Sequence, residues 1–352
     1  VGRVVDDRGD GLESIPVELR AAEERMPRMT VTSSDGSFSF DGVRGEVTVT
    51  ALPYDLPPSR TTITLEGDVP ATVKYARQVL ALLPAGYPQW RGDATALLGL
   101  AYWASGDLEA AHWTMSDGLA RMGTPEIIIG TFVLGDIKMA LGHLHEARNA
   151  YESALQLAKG IGKPMPLGTE DLYAGISTVR REQGDLQAAA QDLLTSKRLG
   201  EQVELPDWQY RWCIAQARLK ESLGDLGEAL ELLDEAERVY VRTPLPDVRP
   251  IAALRTRIWV AQGRLAEALS WARQQGLSVD DDLTYLHEFE HVTLARALIA
   301  RYKGDRTENS IREAIRLIKR LLRAAEEGKR TGSVIEILVL QALAHEARGD
   351  VR

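Results

Sequence analysis

The spacing of hydrophobic residues changes once along this chain, near residue 69. Before that point apolar and polar residues alternate in short runs: Val4-Val5, Ile15 to Leu19, Met29 to Thr32, Ser37 to Phe40 and Glu46 to Thr50. A period of two predicts half-buried strands. Asp35-Gly36 predicts a tight turn leading into Phe38 and Phe40, whose rings would fill one core face. Gly9, Gly11, Gly42 and Gly45 punctuate the remaining connections. Residues 1–68 are therefore expected to form a small all-β sandwich. From residue 69 the period becomes helical, and Val73, Ala76, Val79 and Leu80 share one face.

Residues 69–352 are expected to form a second region, made of repeats. A Gly-polar-Leu turn followed by an alanine-rich helix recurs at Gly106-Asp107-Leu108, Gly142-His143-Leu144, Gly184-Asp185-Leu186, Gly224-Asp225-Leu226 and Gly263-Arg264-Leu265. Degenerate copies stand at Gly304-Asp305 and Gly349-Asp350, so successive glycines are 36, 42, 40, 39, 41 and 45 residues apart. Steps of this size predict a stack of helical hairpins, an architecture that usually binds rather than catalyses. Within Ile128 to Ala158, Phe132, Leu134 and Ile137 mark the first helix of a pair. Gly142 ends it, Leu144 anchors the turn, and Ala147, Tyr151, Ala154 and Leu155 form the buried stripe of the second. The fold class expected is mainly α: a right-handed α-solenoid of helical hairpins with a small N-terminal β-sandwich.

Several strings resemble known families. Gly142 to Leu155 resembles the tetratricopeptide pattern Gly-x-x-x-x-Ala-x-x-x-Tyr-x-x-Ala-Leu. Leu97 to Leu108, His287 to Arg296 and Arg330 to Ala344 resemble the sensor solenoid of MalT-like, LuxR-family ATP-dependent transcriptional regulators. That resemblance implies an arm that binds an inducer or partner and passes the change to an ATPase module and a DNA-binding output. The chain shows no Gly-x-x-x-x-Gly-Lys-Ser/Thr phosphate loop. Its nearest string, Gly328-Lys329-Arg330-Thr331, lacks the upstream glycine. The resemblance thus implies a sensor arm within a larger protein. Gly2 to Val5, Ile15-Pro16-Val17, Thr32 to Phe40 and Val47-Thr48-Val49 resemble the carboxypeptidase regulatory-like (transthyretin-like) domain, which implies a structural module without activity of its own.

Composition narrows the partners. A net charge of −9 argues against direct nucleic-acid binding. The single cysteine, Cys213, excludes an intramolecular disulfide and suits a reducing, cytoplasmic setting. No apolar run reaches membrane-spanning length. The expected partners are a small-molecule inducer or an acidic protein segment, together with the ATPase module of a parent protein. No cofactor is expected.

Counting back six and three residues from each turn glycine marks the wall that the first helices of a tetratricopeptide stack present inward. Of the positions so marked, Trp103, Asp136, Arg181, Arg218, Glu221, Arg257 and Arg301 are the candidate ligand-binding residues. Four of them are arginines from successive repeats, in a chain that is acidic overall. They predict a basic stripe for an anionic ligand, since arginine suits bidentate recognition of carboxylates. The competing reading pairs each arginine with a carboxylate such as Glu182 or Glu221. His287-Glu288-Phe289-Glu290-His291 fits the zinc-peptidase string His-Glu-x-x-His. It falls in register as the opening of a repeat helix, and a third ligand would have to be Glu308 or Glu313, so a helix surface is the favoured reading. A non-catalytic sensor or interaction module is therefore expected. A passive scaffold and a zinc peptidase are the alternatives.

Overall fold

The computed structural model describes residues 72–82, 86, 88–203, 208–240 and 245–349 with their side chains. Of residues 1–71 it describes the backbone of the strands and of the first helix. The chain divides into two compact units, residues 1–82 with 242–245, and residues 83–241 with 246–352.

In the first unit the strands are β1 (Gly2–Arg3), β2 (Pro16–Ala21), β3 (Arg28–Val31), β4 (Ser37–Phe38), β5 (Glu46–Ala51) and β6 (Ser59–Thr64), followed by helix α1 (Val69–Leu82). One antiparallel sheet runs in the order β3-β2-β5-β6, and β1 pairs separately with β4. The expected sandwich core depends on the side chains of these strands, which lie outside the described residues, as do Asp35-Gly36 and the glycines that punctuate this region.

The second unit is built of paired helices. The first members of the pairs are α2 (Pro88–Ser105), α4 (Thr124–Ala140), α6 (Thr169–Glu182), α8 (Asp207–Leu223), α10 (Ile251–Ala261) and α12 (Tyr285–Asp305). Their antiparallel partners are α3 (Leu108–Leu119), α5 (Leu144–Ile161), α7 (Leu186–Gly200), α9 (Leu226–Arg238), α11 (Leu265–Gln274) and α13 (Glu308–Glu327). Helix α14 (Thr331–Arg348) follows.

The turn between the two helices of a pair has a local cause. Gly106, Gly142, Gly184, Gly224 and Gly263 all adopt positive φ, between 75° and 85°. At the first turn the Gly106 N–H returns to the Trp103 carbonyl and the Asp107 N–H to the Tyr102 carbonyl, which satisfies carbonyls that the helix end would leave open. Asp107 and Asp185 then cap the next helix, their carboxylates accepting from the Ala110 and Ala188 N–H at 3.1 Å. Five residues after each of these glycines stands a fully buried alanine: Ala111, Ala147, Ala189, Ala229 and Ala268. A side chain of one methyl lets neighbouring helices approach closely. Tyr151 fills the core of the second pair together with Ile128, Ala154, Leu155, Leu172 and Val179.

The sixth turn departs from the expected register. Gly304 lies inside α12, and the left-handed residue is Arg306, with φ of 56°. Ile311, fully buried, takes the place of the alanine five residues on.

The stack closes on itself, because α12 packs against α2 and α14 against α4. Trp103 donates its indole N–H to the Tyr285 hydroxyl at 3.3 Å, and Lys329 meets Glu109 at 2.7 Å. Gly332 rests on the Met139 and Ala140 carbonyls so closely that an added Cβ would stand 3.1 Å from the Ala140 oxygen.

Candidate functional site on the inner helices

Closure turns the polar sides of α4, α6, α8, α10, α12 and α14 toward a shared interior. The charges there form linked groups. Arg181 on α6 pairs with Glu182 and donates to the Ser222 hydroxyl of α8 at 3.3 Å. Arg218 on α8 reaches back to the same Glu182 at 3.1 Å. Arg257 on α10 and Arg296 on α12 share Glu336 of α14, each at 2.8 Å. Arg257 also donates to the Thr293 hydroxyl at 3.0 Å, and its guanidinium stacks 3.7 Å from the centre of the Phe289 ring. Arg211 closes a two-point pair with Asp171.

Burial and like charge set the proton affinities. Burial, with Arg181 and Arg249 nearby, depresses the Arg218 guanidinium well below its ordinary value. Burial brings Arg257 down to about 10, with Arg296 and Arg249 adding to the effect and Glu336 opposing it. Burial alone would raise Glu336, but Arg257 and Arg296 hold it at about 2. Burial lifts Asp136 to about 6 against the pull of Arg249 and Arg218. These shifts link helices on opposite sides: Glu182 on α6 senses Glu336 on α14.

The expected candidates divide. Arg181, Arg218, Arg257, Asp136 and Glu221 all take part in this electrostatic network. The arginines do not form an open stripe, because Glu182 and Glu336 bridge them in pairs, as the competing reading anticipated. Arg301 does not join. The turn at Arg306 shifts the register by two residues, so Arg301 faces outward and pairs with Asp305 at 3.3 Å. It lines a groove of about 690 Å³ beside Leu265, Leu269 and Leu298. Arg296 occupies the inner position instead. Trp103 is 4% exposed and serves the contact between α2 and α12. The Asp136 carboxylate lies 3.5 Å from the Tyr151 hydroxyl.

The His-Glu-x-x-His string lies on α12. Glu288 is buried and ion-paired with Arg330 at 2.7 Å. His291 is buried, with Nδ1 on the His287 carbonyl and Nε2 3.0 Å from Asp281. His287 is exposed and meets the Thr284 hydroxyl. Glu308 lies near the Tyr302 hydroxyl and Glu313 near Asn309. Among the described residues no group of three or more histidine, cysteine or acidic side chains is placed to hold a metal. The Gly328 to Thr331 string is the turn between α13 and α14.

Cys213 is 1% exposed on α8, and burial pushes its thiol up to about 11. The folded protein is expected to resist iodoacetamide at pH 8, because a thiol held neutral is a poor nucleophile. Mass spectrometry should find a single adduct only after denaturation; fast labelling of the native chain would contradict the burial.

A family model described as "MalT-like TPR region" matches residues 60–352. The chain belongs to this family. No curated protein matches it. Among solved structures, the MalT-like unit is similar to a Rap protein complexed with Competence and Sporulation Factor, with a TM-score of 0.53 at 12% identity. That match covers 81% of this chain and 82% of the other. Yeast Tom70 matches with a TM-score of 0.43 at 16% identity, covering 79% of this chain and 53% of the other. The likeness to the Rap protein shows a shared helical-repeat fold.

The repeat register missed the inner residues of the MalT-like unit that lie outside its two offsets. Counted back from Arg306, the two offsets fall on Ala300 and Lys303. Arg296, Thr293 and Phe289 continue the same face of α12 at helical spacing, so extending the corrected face by further turns would have found them. Arg249 precedes α10, outside any repeat helix, and the register holds no signal for it.

Proposed function

We propose that this MalT-like unit is a non-catalytic sensor and binding module, which takes a peptide segment or a small-molecule inducer among the inner faces of α4 to α14. Occupancy would be passed to the ATPase module of a parent regulator, as the family resemblance implies, within the cytoplasm. The observation that carries the reading is the closed ring of first helices with a charged rather than apolar interior. The Rap protein of similar fold, which is complexed with Competence and Sporulation Factor, supports it. Under this reading the strands, taken as a carboxypeptidase regulatory-like domain over residues 1–68, are a structural appendage to the helical region of residues 69–352, which begins with α1.

A thermal-shift screen of short peptides and small metabolites tests the reading. A true ligand at a hundred times its dissociation constant adds about 2.7 kcal/mol of stability. Glu221→Trp, which places an indole among the inner arginines, is expected to abolish that response while the free protein still unfolds cooperatively. Equal responses in both proteins would move the site away from the interior. A complete lack of responsive ligands, with a protein partner binding both forms alike, would favour a passive scaffold.

A further inference from the structure

Three arginines meet at one place in the interior with a single carboxylate among them. Arg257 and Arg296 share Glu336 at 2.8 Å each. Arg249 approaches from the segment before α10, with its guanidinium 6.0 Å from the centre of the Phe289 ring on which Arg257 also stacks. Arg249 is exposed, and among the described residues it has no ion pair. Its charge nevertheless reaches Asp136 on α4, Glu182 on α6, Arg218 on α8, Arg257 on α10, Tyr285 on α12 and Glu336 on α14. Two donors of the group are buried without an acceptor, Arg257 Nη2 and Arg296 Nε. A buried donor left unpaired is costly, and an oxyanion is the acceptor that guanidinium groups match best.

We propose that Arg249, Arg257 and Arg296 form an oxyanion-binding site, which receives a carboxylate or phosphate group of the ligand between Phe289 and Glu336. The assignment rests on the binding-module reading and names the chemistry of its ligand. Arg249 makes the first contact, because it alone of the three is free of a carboxylate. The incoming anion then supplies the acceptors that Arg257 Nη2 and Arg296 Nε lack, and competes with Glu336 for both guanidinium groups. Glu336 is on α14, the helix that packs against α4 to close the ring. Filling the site therefore weakens one of the ties that hold α14.

The test uses the full chain at constant ionic strength, with inorganic phosphate, succinate, and a short acetylated alanine peptide carrying either a free or an amidated C-terminus. Binding is read by calorimetry and thermal shift, with chloride as the control anion. Wild type is expected to bind phosphate or succinate, and Arg249→Gln to bind it roughly tenfold more weakly, the loss of about one charged hydrogen bond. Glu336→Gln is expected to melt at a lower temperature without anion, yet to bind the anion more tightly and gain more from it, because its competitor is gone. A purely structural role for Glu336 would give the first effect without the second. Preference for the free over the amidated peptide points to a chain terminus as the source; equal response to both, with phosphate or succinate bound, points to a small free anion. Unchanged affinity in Arg249→Gln, or no tightening in Glu336→Gln, overturns the assignment. If larger ligands from the screen bind wild type and Arg249→Gln alike, the binding module stands and the oxyanion site falls. If the anions behave as stated while the screen yields nothing, the site stands and the wider module reading falls.

Discussion

Arg330→Met is expected to destabilise the helical unit by about 3–5 kcal/mol, the usual consequence of removing one partner from a buried ion pair. Arg330 and Glu288 have side chains that are each only 8% exposed. The guanidinium donates from Nε at 2.9 Å and from Nη2 at 2.7 Å to Glu288 Oε2, and Nη2 also reaches the Ala324 carbonyl at 2.8 Å. The Ser333 hydroxyl holds the other Glu288 oxygen. Arg330 lies 5.4 Å from the Tyr285 ring, whose hydroxyl receives the Trp103 indole. The variant would leave a carboxylate buried without its counter-charge at the point where the ring closes. Urea unfolding followed by tryptophan fluorescence reads the loss. Glu288→Gln combined with Arg330→Met is expected to recover much of it, because no uncompensated charge then remains. A single variant as stable as wild type would mean that the contact between α2 and α12 does not depend on this pair.

Tyr151→Ala is expected to cost a similar amount, about 3–5 kcal/mol, the range for deleting a large buried aromatic side chain. Tyr151 is fully buried, and its ring lies against the backbone of Gly135 on α4 and Gly175 on α6. A Cβ at either glycine would overlap the ring, so two glycines and one tyrosine form a single packing unit across three helices. Gly175→Ala should therefore destabilise as well, by about 1–3 kcal/mol through overpacking. Tyr151→Phe should be far milder, because the hydroxyl makes only long contacts, 3.3 Å to the Phe132 carbonyl and 3.5 Å to Asp136. Calorimetric melting of the three variants gives the order. If Tyr151→Phe proved as damaging as Tyr151→Ala, the hydroxyl rather than the ring volume would be holding the site.

Much of the helical fold was legible, because each repeat is decided by short-range chemistry. A glycine in the left-handed conformation, a leucine two residues on and an alanine three beyond that recur in the sequence and do the same structural work each time. Gly106, Gly142, Gly184, Gly224 and Gly263 all turn as their spacing predicted. The one failure is instructive. Gly304 looked like the sixth copy, yet α12 continues to Asp305 and turns at Arg306. A helix well buried along its length can be held past an internal glycine by its tertiary packing, since glycine costs only about 1 kcal/mol there. That two-residue shift moved Arg301 off the inner face and put Arg296 on it.

The sequence by itself determined the helical period, the hairpin turns, the alanine stripe of each second helix and the MalT-like family resemblance. All of these depend on residues within about one turn or one repeat of each other, where chain connectivity keeps the partners together. Only the tertiary structure decided that the stack closes, with Trp103 meeting Tyr285 across 182 residues. It alone showed that Glu336 draws Arg257 and Arg296 together and that Arg249, outside every repeat helix, faces them. The small rotation from one hairpin to the next accumulates along a solenoid, and no single repeat encodes where that sum brings the first helices back against the last.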